Sequence, residues 1–326
     1  MLICRKLQHV KQAHSLLSRL YTQAATAQQN HRPVQEIVIP VPWGHIAGKW
    51  WGPTDVKPIL CLHGWQDNAG TWDALAPLLP PDVSMLAMDF PGHGLSSHYP
   101  PGQPYYQIDY LAFVRRIVRH FGWDQVSLMG HSMGSIVSFM YSCTFPGEVT
   151  SYIGIDALQP QTIPPEIVLK WRGYELDKVL ETLTLDIKNR PAYSYDEAIS
   201  IYEKGTHGSL TRASCEILMK RGTVKHEDGR YSFNRDLRLK HSIVTGWPPK
   251  NILLFAASID CNVLHIKAKS GLVYSDSKIT RETLDALKNS AKYFEHHDVE
   301  GTHHVHVNNP ERVAPLITQF LQKCVL

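Results

Sequence analysis

Gly130-His-Ser-Met-Gly134 is a G-x-S-x-G pentapeptide in a telling place. An apolar run at residues 126–129 precedes it, and Met133, Ile136, Val137, Met140 and Tyr141 form an amphipathic stripe at helical spacing after it. A serine between a buried strand and a helix sits on a sharp, strained turn, and the flanking positions must be glycine so that the backbones can approach. Its hydroxyl then projects from the end of a sheet, at a helix N-terminus that favours negative charge. The chemistry this suits is nucleophilic attack on a carbonyl and formation of an acyl-enzyme, with Ser132 as nucleophile.

That chemistry needs donors, a base and an acid. Two backbone N–H groups should hold the oxyanion: that of Met133, directly after the nucleophile, and that of Trp65 in the loop His63-Gly-Trp65. The Trp65 side chain could also wall the acyl pocket. The base should be a histidine late in the chain, and Gly301-Thr-His-His-Val-His306 offers three. His303 stands seven residues before Pro310, where a final helix starts, which places it on the loop above the sheet. His304 is the alternative, and His304 and His306 are expected on the segment leading away.

The acid has two candidates. Its usual position follows a strand at residues 263–266, but Gly271 stands there, with Asp276 five residues further on. Asp156 ends another apolar strand, Ile-Gly-Ile-Asp, where an unpaired carboxylate would be costly. Both preserve the order Ser…Asp…His. Asp156 is preferred and Asp276 stays open. Asp89, His93 and His63 read as loop scaffolding, and His45, His98, His226 and His241 as surface residues. No HExxH and no carboxylate at ligand spacing accompanies the histidine cluster, and neither G-x-G-x-x-G nor a P-loop is present, so neither metal nor cofactor is expected.

The elements that must position these groups alternate. Strands are expected at 36–40, 45–51, 58–62, 83–88, 126–129 and 152–155, with helices between them, implying an α/β fold with a mostly parallel central sheet. Chemistry-bearing residues recur at the C-terminal strand ends, where such sheets place their sites. The alternation stops after Asp156. Residues 157–250 read as an inserted helical cap, and 35–156 with 251–326 as the core. A strand at 263–266, a helix at 280–287, a strand at 293–299 and a last helix after Asn309-Pro310 complete it.

Composition narrows the function. The 326 residues are 43% hydrophobic and 19% charged, with a formal net charge of +3. Arg5, Lys6, Lys11, Arg19 and Arg32 precede the first acidic residue, Glu36; without them the body carries 28 basic against 30 acidic residues. No nucleic-acid footprint is expected from that balance. The six cysteines form no CxxC pair and suit a reducing, intracellular compartment. No apolar run reaches the ~20 residues that span a bilayer. Residues 1–34 form a basic, acid-free extension with the composition of a mitochondrial transit peptide; without that function the chain would be cytoplasmic or peroxisomal.

His63-Gly-Trp-Gln-Asp-Asn68 with Thr71-Trp-Asp73, Met88-Asp-Phe-Pro-Gly-His-Gly-Leu-Ser-Ser-His98, Gly130-His-Ser-Met-Gly134 and Asn234-Arg-Asp-Leu-Arg238 resemble the animal serine hydrolase-like proteins. The resemblance covers about residues 35–325. It implies an α/β-hydrolase with a helical cap and Ser132 as nucleophile, and an association with detoxification or digestion. It implies no particular substrate; a small acyl compound is expected from the Ser132 chemistry. Aspartate-nucleophile dehalogenases and epoxide hydrolases of the fold are disfavoured by Ser132. The displaced acid alone would suit a non-catalytic ligand-binding or interaction protein.

Overall fold

The computed structural model describes residues 33–185, 190–241, 246–273 and 275–324. The expected basic extension lies, but for its last two residues, outside the described residues. Eight strands make one sheet: β1 (Val34–Val41), β2 (Gly44–Trp51), β3 (Ile59–Leu62), β4 (Met85–Met88), β5 (Val126–His131), β6 (Val149–Ile155), β9 (Asn262–Ser270) and β10 (Tyr293–Thr302). Their order across it is β1-β2-β4-β3-β5-β6-β9-β10. β2 runs antiparallel to both of its neighbours, and every other pairing is parallel. This is the mostly parallel α/β sheet the alternation predicts.

The period of two along each strand builds two cores. Leu60, Leu62, Leu86, Met88 and Leu128 face one side, where α1 (Asp109–His120), α2 (Met133–Thr144), α6 (Pro249–Ala257) and α7 (Ser277–Ser290) supply Val114, Val137, Ala256 and Leu287. Ile59, Cys61, Met85, Ala87 and Met129 face the other, against Trp72 and the last helix, α8 (Ala314–Cys324), with Ile317 and Phe320. Strands covered on both faces must be apolar throughout, which is why β3 and β4 read as short continuous runs.

Between β6 and α6 the chain leaves the sheet. It forms α3 (Pro165–Leu183), α4 (Tyr195–Gly205) and α5 (Arg212–Gly222), then β7 (Thr223–Lys225) and β8 (Tyr231–Phe233). The last two pair as an antiparallel hairpin, so this stretch is not purely helical as its charge-rich sequence suggests. Its strands are three residues each, too short for a visible alternation. Among the described residues no helix is long and apolar enough to cross a membrane.

Candidate active site

Ser132 joins β5 to α2 with φ 52° and ψ −118°, a strained conformation for a residue with a Cβ. The surrounding glycines make the turn possible. A Cβ on Gly130 would lie 2.3 Å from the Gly134 carbonyl, and one on Gly134 would lie 2.1 Å from the Leu62 carbonyl oxygen. The pentapeptide thus records a close packing of α2 on β5 and β3. The Ser132 amide donates to Ile155 O (3.1 Å), which ties the turn to the end of β6.

Asp156 follows β6 directly, also at positive φ (51°), and its amide donates to Ile266 O (2.8 Å) on β9. Its carboxylate is fully buried and fully engaged. Oδ1 accepts from Lys267 Nζ and from the Ala268 amide (3.0 Å). Oδ2 accepts from the Leu272 amide (3.1 Å) and from His303 Nδ1 (2.6 Å). Burial opposes its charge, but the bonds from His303 and Lys267 outweigh that and hold its pKa below the ordinary carboxylate value.

His303 follows β10. Burial and the neighbouring His131 push its pKa down to about 4, against the raising effect of Asp156, so the ring is neutral at pH 7. With Nδ1–H committed to Asp156, Nε2 is the atom able to take a proton. Asp276, the other candidate acid, is engaged elsewhere. It is exposed and caps α7, its carboxylate accepting from the Lys278 amide (2.8 Å).

Trp65 lies half-buried on the loop after β3, its ring edge-on to His93 at 5.8 Å. Met133 is buried at the first turn of α2. His63 shapes the loop between them: Phe90 donates its amide to Nε2 (3.0 Å), and Nδ1–H donates to Gly64 O (2.7 Å). Asp89 accepts from the Ala69 and Leu95 amides (2.7 and 2.8 Å) and from Arg221 of α5 (2.7 Å).

Several groups escaped the sequence reading. His304 and His306 do not lead away: they fold back, buried, so that the His306 ring lies tilted by 36° with its centroid 4.1 Å from that of His131. Asp67 joins them, 3.5 Å from both His131 Nδ1 and His304 Nε2. Lys267, to which the sequence pattern gives no role, pairs with Asp156, as a lysine at the end of an apolar strand needs a partner. His98 is not a surface residue; its Nδ1 is 3.0 Å from the buried Asp236.

Two cavities flank this region. One of about 500 Å³ borders Asp156, Ala157, Leu158, Gln159, Lys267 and Leu272. Another of about 350 Å³ borders Gln66, Arg190, Tyr193, Phe233, Arg235 and Leu237.

Comparison with known proteins accords with this geometry. A profile of the α/β hydrolase fold matches residues 57–190. A Drosophila melanogaster protein described as a "Probable serine hydrolase" is 41% identical over 292 residues, 89% of this chain and 88% of its own. Human "Serine hydrolase-like protein 2" is 37% identical over 306 residues, 89% and 94% of the two chains. The crystal structure of the hypothetical protein PA1622 from Pseudomonas aeruginosa superposes with a TM-score of 0.76 at 30% identity, covering 88% of this chain and 98% of that one. The chain with Ser132 at its β5–α2 turn therefore belongs to the serine hydrolase-like proteins of the α/β-hydrolase superfamily.

Proposed function

We propose that the protein is a serine hydrolase that cleaves a small ester-type substrate, a carboxylic ester or thioester, through an acyl-enzyme on Ser132. The observation that carries this reading is the buried 2.6 Å bond between Asp156 and His303 Nδ1, at the same sheet edge as the strained Ser132 turn. A neutral histidine held in one tautomer by an ionised carboxylate is what general-base activation of a hydroxyl requires.

Ser132 Oγ attacks the carbonyl carbon while its proton passes to His303 Nε2. Asp156 stabilises the imidazolium that forms. The Met133 and Trp65 amides hold the oxyanion, each worth ~3 kcal/mol in the transition state. Collapse expels the alcohol or thiol, which takes the proton from His303. Water, deprotonated by the same nitrogen, then releases the acid and restores Ser132.

Residues 157–250 act as a cap over this site. Cavities of about 350 and 500 Å³ on its underside and beside Asp156 suit a small molecule rather than a polymer.

A fluorophosphonate probe tests the reading, combined with a screen of p-nitrophenyl esters and acyl thioesters of graded chain length. Wild-type protein is expected to label and to turn over short acyl groups, and Ser132→Ala to do neither. Folded wild-type protein that does not label would instead favour a binding protein that keeps the fold without the chemistry, and equal labelling of Ser132→Ala would reject Ser132 as the nucleophile.

A further inference from the structure

Asp67, His131 and His304 come from the loop after β3, the end of β5 and the segment after β10, and folding buries them together. Asp67 Oδ2, His131 Nδ1 and His304 Nε2 all lie within 4.8 Å of one another. The carboxylate oxygen is 3.5 Å from each nitrogen. Ligand atoms about 2.0–2.1 Å from a tetrahedral ion are themselves about 3.3 Å apart, so two of the three edges already have coordination spacing.

The outer hydrogen bonds determine which lone pairs turn inward. His131 Nε2 is 2.9 Å from the His303 carbonyl oxygen, which can only accept, so that nitrogen carries the proton. In the neutral ring, Nδ1 then presents a lone pair toward a carboxylate in a dry interior. Neither His131 Nδ1 nor Asp67 Oδ2 has a hydrogen bond, and two lone pairs facing each other there are unfavourable without something positive between them. His304 is held from its outer side as well, with Nδ1 2.8 Å from Ser209 Oγ, a hydroxyl that can donate or accept, and Nε2 faces Asp67. A ring held by its outer nitrogen while the inner one points at a shared centre is the arrangement of metal-ligating histidines.

Space and access are also present. A Cβ on Gly64 would lie 2.9 Å from His131 Nδ1 and 3.0 Å from Asp67 Oδ2, so its absence leaves open volume beside both. A cavity of about 120 Å³, bordered by Trp65, Asp67, Tyr202, Thr206 and Arg235, reaches Asp67 from the side of α4. It borders Asp67 and neither histidine, so an ion approaching from this side would meet the carboxylate first.

We propose that Asp67, His131 and His304 bind one divalent transition-metal ion of the zinc class, beside but separate from Ser132. Two imidazoles and a carboxylate are a donor set for zinc, cobalt or nickel rather than for calcium or magnesium. The sequence gives no hint of this, because the carboxylate stands far from either histidine along the chain.

The test uses the full chain, stripped with a chelator and titrated with Co²⁺. The expected result is one Co²⁺ per chain with the intense visible absorption of a four-coordinate ion, displaced by Zn²⁺, and a melting temperature raised by either metal. Asp67→Asn and His304→Gln should each weaken Co²⁺ binding tenfold or more, while His297→Gln on β10 leaves it unchanged. No Co²⁺ uptake, or uptake unaltered in both site variants, would overturn the proposal and leave a proton shared between Asp67 and the rings. X-ray absorption of the Zn²⁺-loaded wild-type protein decides the matter even if the variants fold poorly. A shell of two imidazoles with oxygen ligands supports the site, and a thiolate-bearing or imidazole-only shell rejects it.

Discussion

Gly271 and Asp156 compete for one volume: a Cβ on Gly271 would lie 2.1 Å from Asp156 Oδ2 and 2.2 Å from Oδ1. The loop after β9 is where an acid is expected in this architecture, and here it wraps a carboxylate delivered from β6 instead. The Ala268 and Leu272 amides donate to that carboxylate (3.0 and 3.1 Å), and Gly271 between them leaves room for it. The absence of an acid at 271 and the presence of one at 156 are thus a single structural fact.

Asp156→Asn should therefore cost far more activity than Asp276→Asn. Asparagine at 156 removes the charge that stabilises the imidazolium and permits the wrong tautomer, a loss on the order of 10⁴ in kcat for such triads. Asparagine at 276 still caps α7, so stability should change by less than about 1 kcal/mol. Initial rates on an activated ester, with urea titrations as the stability check, decide between them. The reverse order of activity would move the acid to Asp276.

Gly271→Ala tests the packing itself. The methyl group has backbone-bound neighbours and a carboxylate pinned by four bonds to push against. The variant should lose about 1–3 kcal/mol from overpacking and, because the displaced group orients His303, lose kcat more than affinity. Gly271→Asp should not create a working acid, since two carboxylates would then share the site. A stable and fully active Gly271→Ala would show that the loop moves freely away from Asp156.

These residues also show how far the sequence could be read. The Ser132 turn was legible because Gly130 and Gly134 are demanded by contacts within a few residues of the serine and with the adjacent strand. The position of His303 on the segment after the last strand was legible by counting back from Pro310. The choice between Asp156 and Asp276 was not, because it depends on β6 lying beside β9 in the sheet, a pairing between distant segments. The same applies to Asp67, carried to His131 by the turn after β3, and to His98, carried to Asp236 by the inserted segment. Strand pattern predicts that these elements exist; only their neighbour relationships bring the charges together.

Acid should unfold the protein before it silences His303. Burial lowers the pKa of His63 and His93 and takes His265 down to about 3, while the unfolded rings titrate near 6.5. The unfolded state then binds more protons below pH 6.5, so stability falls as pH drops. Each such ring contributes about 1.4 kcal/mol per pH unit until its own folded pKa is reached. As the proposed base, His303 is needed neutral, and it stays so down to about pH 4. In chelator-treated protein, kcat/KM measured within seconds of a pH jump should hold from pH 7 to 5, while the urea midpoint drops steadily over that range. A rate that halves near pH 6.5 with an unchanged midpoint would show that His303 titrates normally.

Asp236→Asn should loosen the inserted segment from the core. Arg238 donates to Pro100 O, Gln103 O and Tyr99 O (2.8, 2.7 and 2.6 Å) and to Asp236 (2.7 Å). Asp236 in turn accepts from the Tyr105 hydroxyl (2.8 Å), and both charges are buried. Neutralising one member leaves the other uncompensated, which costs about 3–5 kcal/mol in buried pairs. Tyr105→Phe removes two hydrogen bonds, the one given to Asp236 and the one accepted from the Tyr99 amide (3.0 Å), and should cost about 2–4.5 kcal/mol while leaving the Asp236–Arg238 pair intact. Arg238→Lys should not rescue, since an ammonium cannot reach three carbonyls and a carboxylate from one plane. Urea midpoints rank the three variants, and limited proteolysis locates the opening. Cleavage should concentrate within residues 157–250 for Asp236→Asn; cleavage spread evenly over the chain would show that the pair supports the whole fold and not the attachment of this segment.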